Sequence, residues 1–277
     1  MNFKLTHIPK RPEKPREKGL TMVMDKGLSL RQAEDLISSS KEQIDLLKLG
    51  FGTSFVTNNL AEKIKLYQSA NIEVYPGGTL FEAFIARKKF RDFRKFLDQY
   101  NLDMCEVSDG SIVLDHKEKC EFISKLAKSK TVLSEVGSKE QGILISPSKW
   151  IKMMQNELEA GSWKVIAEGR ESGSVGIFRP NGSPHTILIN KIIAKIDADK
   201  ILWEAPGKKQ QVWFINLFGA NVNLGNIAPN DVIPLECLRL GLRGDTFFNY
   251  LPDNIIDDLQ NPEGDLAKAR KVVKNSN

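Results

Sequence analysis

Acids and bases recur along the chain, each time at the end of a short apolar run. Asp25 and Lys26 close the first run and Lys48 the second; Glu106 and Asp109 stand at the fourth. Glu135 and then Lys139 follow the fifth, and Glu168 and Arg170 the sixth. Glu204 and Lys208 follow the seventh, Asn223 and Asn226 the eighth. Charges withdrawn from water are costly unless paired, so carboxylates and cations that converge must compensate one another. Such a cluster suits a divalent cation together with an anionic substrate. Any one of these residues taken singly has an ordinary explanation, as a cap or turn where a strand meets a loop.

The elements that would bring them together are legible. The apolar runs occupy residues 20–24, 44–49, 72–75, 102–107, 131–136, 163–167, 200–204 and 220–224. Each is short, rich in branched or aromatic residues and bounded by turn formers, as expected of strands buried on both faces. Between them lie amphipathic stretches, such as 30–37 and 120–127, whose apolar residues recur at helical spacing. Alternation of this kind, in a chain near the typical length of about 250 residues, favours a single (β/α)8 TIM barrel. An open doubly wound sheet stays as the alternative. The barrel is expected over residues 19–247, with a short N-terminal extension (1–18) and a C-terminal tail (248–277) that is partly helical or disordered. In a barrel the loops after the strands share one face, so these strand ends are a site prediction.

The composition fits one globular domain of 277 residues, 41% hydrophobic and 27% charged. No apolar run approaches the roughly 20 residues that span a bilayer, and the N-terminal segment lacks the apolar core of a secretory signal. The expectation is a cytoplasmic protein, with no membrane partner. The net charge of +5 comes from dispersed bases and basic ends, read as solvated termini, with no nucleic-acid motif. Cys105, Cys120 and Cys237 read as structural thiols, and His7, His116 and His185 receive no catalytic role.

Glycines add a substrate class. Gly77 and Gly78 precede one helix pattern and Gly207 another, so both could present backbone N–H groups to an anion; Gly225 and Asn226 follow in the last loop. Residues 172–185, rich in Gly and Pro, suit a lid over the sixth strand's end. Arg239 and Arg243 fall late in the last helix pattern, at the opposite end of a barrel, where stability or an interface is the expected role.

In these segments the chain resembles the phosphosulfolactate synthase family. The resemblance is carried by Met24-Asp25-Lys26-Gly27-Leu28, Lys48-Leu49-Gly50-Phe51-Gly52-Thr53-Ser54, Tyr75-Pro76-Gly77-Gly78-Thr79-Leu80-Phe81-Glu82 and Glu106-Val107-Ser108-Asp109-Gly110-Ser111. It continues through Glu135-Val136-Gly137, Glu168-Gly169-Arg170-Glu171-Ser172-Gly173, Glu204-Ala205-Pro206 and Leu242-Arg243-Gly244-Asp245-Thr246. It implies a Mg²⁺-dependent addition of sulfite to phosphoenolpyruvate giving (2R)-phospho-3-sulfolactate, and a lysine acid at Lys139. The family has paired lysines after Glu-Val-Gly, where this chain has Ser138-Lys139, and a glutamine at the place of Gly207.

The expected site then has Lys139 as general acid and Glu106, Glu135 and Glu168 among the metal ligands. Lys26, Lys48, Gly77, Gly78, Arg170, Lys208, Asn223 and Asn226 are the candidates for binding anionic groups. Two rivals stand beside this reading. One is another Mg²⁺-dependent lyase or aldolase acting on a phosphorylated enol; the other is a non-catalytic binding protein similar to plant heat-stress-associated proteins. Barrels often associate, and the helix around Phe90, Phe93 and Phe96 could serve a homo-oligomer or pack on the barrel.

Overall fold

The computed structural model describes residues 2–137, 146–170 and 172–260. Eight parallel strands form one sheet: β1 (Thr21–Asp25), β2 (Leu46–Leu49), β3 (Glu73–Pro76), β4 (Met104–Val107), β5 (Thr131–Val136), β6 (Lys164–Ala167), β7 (Ile201–Glu204) and β8 (Leu224–Ile227). Their order is β3-β2-β1-β8-β7-β6-β5-β4. The two end strands, β3 and β4, come side by side and bring the sheet round into a nearly closed barrel. The helices are α1 (Leu30–Ser40), α2 (Thr53–Val56), α3 (Leu60–Ser69), α4 (Gly78–Ala86), α5 (Phe90–Gln99), α6 (His116–Leu126), α7 (Pro147–Glu159), α8 (Thr186–Ile193), α9 (Lys208–Phe218), α10 (Val232–Arg239) and α11 (Asp253–Gln260).

Side chains alternate in and out along each strand, and this period of two builds both the core and the site. Leu20, Met22, Leu46, Tyr75, Met104, Leu133, Ile166 and Leu202 fill the barrel interior. Their neighbours Leu47, Cys105, Val132, Val165, Ile201 and Trp203 face outward against the helices. Two residues beyond the inner layer, on the same face, come Lys48, Glu106, Glu135, Glu168 and Glu204. The pleat therefore stacks a charged layer on an apolar one at the C-terminal end of the barrel.

The eighth strand departs from the sequence expectation. It begins at Leu224, where the apolar pattern ends it, because Gly225 and Asn226 sit inside the strand. Gly225 leaves room for Met22, whose Cε would lie 2.8 Å from a Cβ placed there. Asn226 takes a left-handed conformation at φ 57°, where the pairing of β8 with β1 slips at a bulge. Turn-forming residues here mark a bulge within the strand.

The N-terminal segment is also more engaged than a solvated extension. Arg11 donates to Ala220 O and Gly19 O and pairs with Glu236, while Arg16 pairs with Asp45 at 2.9 Å. Lys14 donates to the carbonyls of Lys41 and Ile44. Strand entries at this end leave carbonyl oxygens that need donors, and the basic residues supply them. Arg239, fully buried, does the same from α10, donating to Leu20 O, Ala220 O and Val222 O.

Phe93 of α5 is buried and meets Phe81 edge-on at 5.5 Å, so this helix uses its aromatic stripe for packing on the barrel. The three cysteines are free thiols, Cys105 buried in β4. Among the described residues, no helix is long and apolar enough to cross a membrane.

Candidate active site

The charged layer opens into a cleft of about 380 Å³ at the C-terminal end of the strands. Its lining includes Lys48, Gly78, Glu106, Glu135, Glu168, Arg170, Glu204 and Asn226, drawn from seven strands or the segments that follow them. Lys48 stands at the centre. Its ammonium lies 3.0 Å from Glu106, 3.4 Å from Glu204 and 3.7 Å from Glu135. Burial works against the Lys48 charge, but Glu106, Glu204 and Glu135 outweigh it and hold its pKa well above that of a free lysine. Burial pushes the Glu106 carboxyl up to about 7 against the pull of Lys48, and Glu135 and Glu204 add to the rise. Arg170, about half-exposed, reaches Glu168 at 3.7 Å from a left-handed backbone position.

Among the described residues, the lining carries the four carboxylates Glu106, Glu135, Glu168 and Glu204 and the cations Lys48 and Arg170. The acids are hard oxygen donors of the kind divalent cations select. Among the described residues no three His, Cys, Asp or Glu side chains are arranged as a ready metal cage.

Both helix-entry glycine motifs have internal partners. The Gly78 N–H donates to Glu106 Oε1 at 2.7 Å, across the junction of β3 and β4. A Cβ at Gly78 would collide with the Ser108 side chain, so only glycine allows this approach. Gly77 lets the chain pass Lys48, whose Cε would be 3.2 Å from a Cβ. At the start of α9, the Gly207 N–H donates to Gln210 Oε1 at 2.9 Å. Neither N–H points at open space.

Other predicted residues are placed apart from the cleft. Asn223 lies at the opposite, N-terminal end: its amide donates to Asp199 O and Ile201 O and accepts from Leu20 N–H. It has no capacity left for an anion, and this corrects its assignment. Lys208 pairs with Asp245 at 2.6 Å on the surface. Lys26 is exposed beside a neighbouring groove that also borders Gly27, Thr53 and Lys63. Asp25 does not face the cleft either; its carboxylate is met by Lys63 at 2.9 Å and by the Tyr67 hydroxyl. Lys139 lies outside the described residues.

The loop of residues 172–185 is less free than a lid. Val175, Ile177 and Phe178 are buried, Phe178 and Pro184 form an antiparallel bridge, and Gln210 Nε2 donates to Gly173 O at 2.8 Å.

Two residues of the quoted segments were given no role by the strand-end reading. Tyr75 points inward beside Lys48, its register partner, and burial together with Glu106 holds its phenol well above the ordinary tyrosine pKa, so it stays protonated. Its inward position was available from the period of two. Glu82 on α4 accepts from the Ser108 hydroxyl and from the N–H groups of Gly110 and Ser111, fixing the loop after β4. A lone glutamate on a helix carries no such signal.

The family model of (2R)-phospho-3-sulfolactate synthase (ComA) matches residues 9–245, which covers the barrel and every residue of the cleft. The chain belongs to the phosphosulfolactate synthase family. It is 39% identical over 251 residues to the phosphosulfolactate synthase of Bacillus subtilis, covering 90% of this chain and all of that one. It is 42% identical over 238 residues to that of Methanocaldococcus jannaschii, covering 83% and 94% of the two chains. A solved 3-hexulose-6-phosphate synthase from Salmonella typhimurium shares the fold, with a TM-score of 0.54, 14% identity, and coverage of 81% of this chain and all of that one. Phosphosulfolactate synthase activity, that of a carbon–sulfur lyase, follows from the family.

Proposed function

We propose that the chain adds sulfite to phosphoenolpyruvate in the Lys48-centred cleft, forming (2R)-phospho-3-sulfolactate with the aid of Mg²⁺. The observation that carries this reading is the convergence of four carboxylates with Lys48 and Arg170 in one cleft, within a chain whose relatives are phosphosulfolactate synthases. In the reaction the sulfur lone pair of sulfite attacks the methylene carbon, and the π electrons move towards C2 and the carboxylate as an enediolate. C2 then takes a proton, which completes the new C–H bond. Mg²⁺, when bound, supplies Lewis-acid stabilisation of the charge gathering on the carboxylate.

The chain's own residues supply the rest. Glu106, Glu135 and Glu168 would include the metal's ligands, and Lys48 and Arg170 draw the two anions together against their repulsion. Asn226, buried at the cleft wall with a side-chain oxygen that has no hydrogen-bond partner among the described residues, is suited to orient substrate polar atoms. Lys139 is the proton donor to C2. Lys26 and Lys208 attract anions towards the mouth from outside the cleft.

The test is product analysis by mass with phosphoenolpyruvate, sulfite and Mg²⁺, for the parent and for Lys139→Ala. The parent should form phosphosulfolactate, while the folded variant should lose about 100-fold or more of turnover, the usual scale of general acid catalysis. Near-parental turnover by the variant would remove Lys139 from its role. A parent that consumes another nucleophile in preference to sulfite would overturn the substrate assignment.

A further inference from the structure

Behind the cleft, and outside its lining, lies a second buried ion cluster. Lys119 occupies the first position of the buried stripe Lys119, Ile123, Leu126 on α6, where an apolar residue would be usual. Its ammonium donates to Asp109 Oδ1 at 3.0 Å and to the backbone oxygen of Glu135 at 2.6 Å, and lies 2.9 Å from Glu157 Oε1. An ammonium has three N–H donors, and these three acceptors match them.

We infer that Lys119 is a positioning residue for the active site, joining the loop after β4 to the end of β5. This rests on the cleft being that site. The three acceptors belong to three different parts of the barrel wall: the loop after β4, β5 and α7. Glu135 is held by its carbonyl on one side while its carboxylate faces Lys48 on the other. Asp109 lies between Ser108 and Gly110, which Glu82 grips, and Ser111 beyond them lines the cleft. Lys119 thus contacts both segments from behind and is not among the residues that line the cleft. An apolar residue could fill the volume, but it would couple neither loop nor strand. The fully buried Glu157 balances the charge that this coupling requires.

Two variants test the tie. Asp109→Asn weakens only the loop contact and leaves the Lys119–Glu157 pair in place. Lys119→Met combined with Glu157→Gln removes both buried charges together and avoids leaving either unpaired. Positioning predicts a fall in kcat of about tenfold for Asp109→Asn and about 100-fold for the double variant, with smaller changes in KM. It also predicts faster amide hydrogen exchange at Gly110 and Ser111 in both. A structural role alone predicts a lower melting temperature with kcat within about twofold of the parent and unchanged exchange in that loop, which would overturn the inference. If the double variant does not fold, Asp109→Asn decides by the same two readings. A parent that forms no phosphosulfolactate would instead refute the functional reading, and the exchange measurement would still decide the tie.

Discussion

Two buried cations mark the two ends of the barrel, Lys48 at the mouth and Arg239 at the base, 5% and 0% exposed. Arg239 is held by backbone carbonyls, which carry no net charge and never titrate. Lys48 is held by three carboxylates that can change protonation or turn towards another cation. Carbonyl oxygens at the base are committed to the fold, whereas carboxylates at the mouth can be shared with a ligand. The same covalent scaffold thus keeps one end fixed and the other available, through the kind of oxygen placed around a cation.

Replacing Lys48 by Met is the harshest way to break that contrast. Turnover should fall by about 1,000-fold or more, because anion positioning and the neutralisation of the cleft go together. Unfolding in urea should show a smaller loss, about 3 kcal/mol, since carboxylates left without the cation can take up protons. Arg239→Met should invert the balance: a loss of about 3 kcal/mol from carbonyls left without donors, with kcat per folded molecule unchanged. If Arg239→Met lowered kcat as severely as Lys48→Met, the division between the ends would fail.

The gentlest probe is pH. Folded Glu106 titrates near 7 and its unfolded reference is 4.5, so the folded chain holds a proton through this window that the unfolded chain releases. Its contribution to stability is complete below the lower value and lost as the pH rises through the upper one. Added Mg²⁺ should flatten this slope by favouring the ionised carboxylate, and Glu106→Gln should remove it. Urea unfolding at about pH 5 and pH 8, with and without the ion, measures both; a Gln variant with the parental slope would assign the titration elsewhere.

How much of this was legible depended on the signal each part leaves. Seven of the eight strands could be placed because β-branched and aromatic runs between helical stripes are a direct image of burial on both faces. Glu106, Glu135 and Glu168 could be found at strand ends because the pleat carries them inward. Asn223 misled because a bulge extended the eighth strand beyond Gly225, and its amide serves the base. Lys26 and Asp25 sit at a strand end too, yet Asp25 turns towards Lys63, a partner 38 positions further along that no local pattern announces. Glu82 and Lys119 were invisible for the same reason, since their partners are loop atoms brought near only by the closed wall.

The junction of β3 and β4 gives one residue two duties. Neighbouring strands elsewhere are laced by main-chain ladders, but here the Glu106 carboxylate accepts the Gly78 N–H while its other oxygen faces Lys48. Whatever occupies the cleft therefore pulls on the clasp of the barrel itself. A ligand that engages Glu106 would thus act on the contact between β3 and β4 as well as on the cleft.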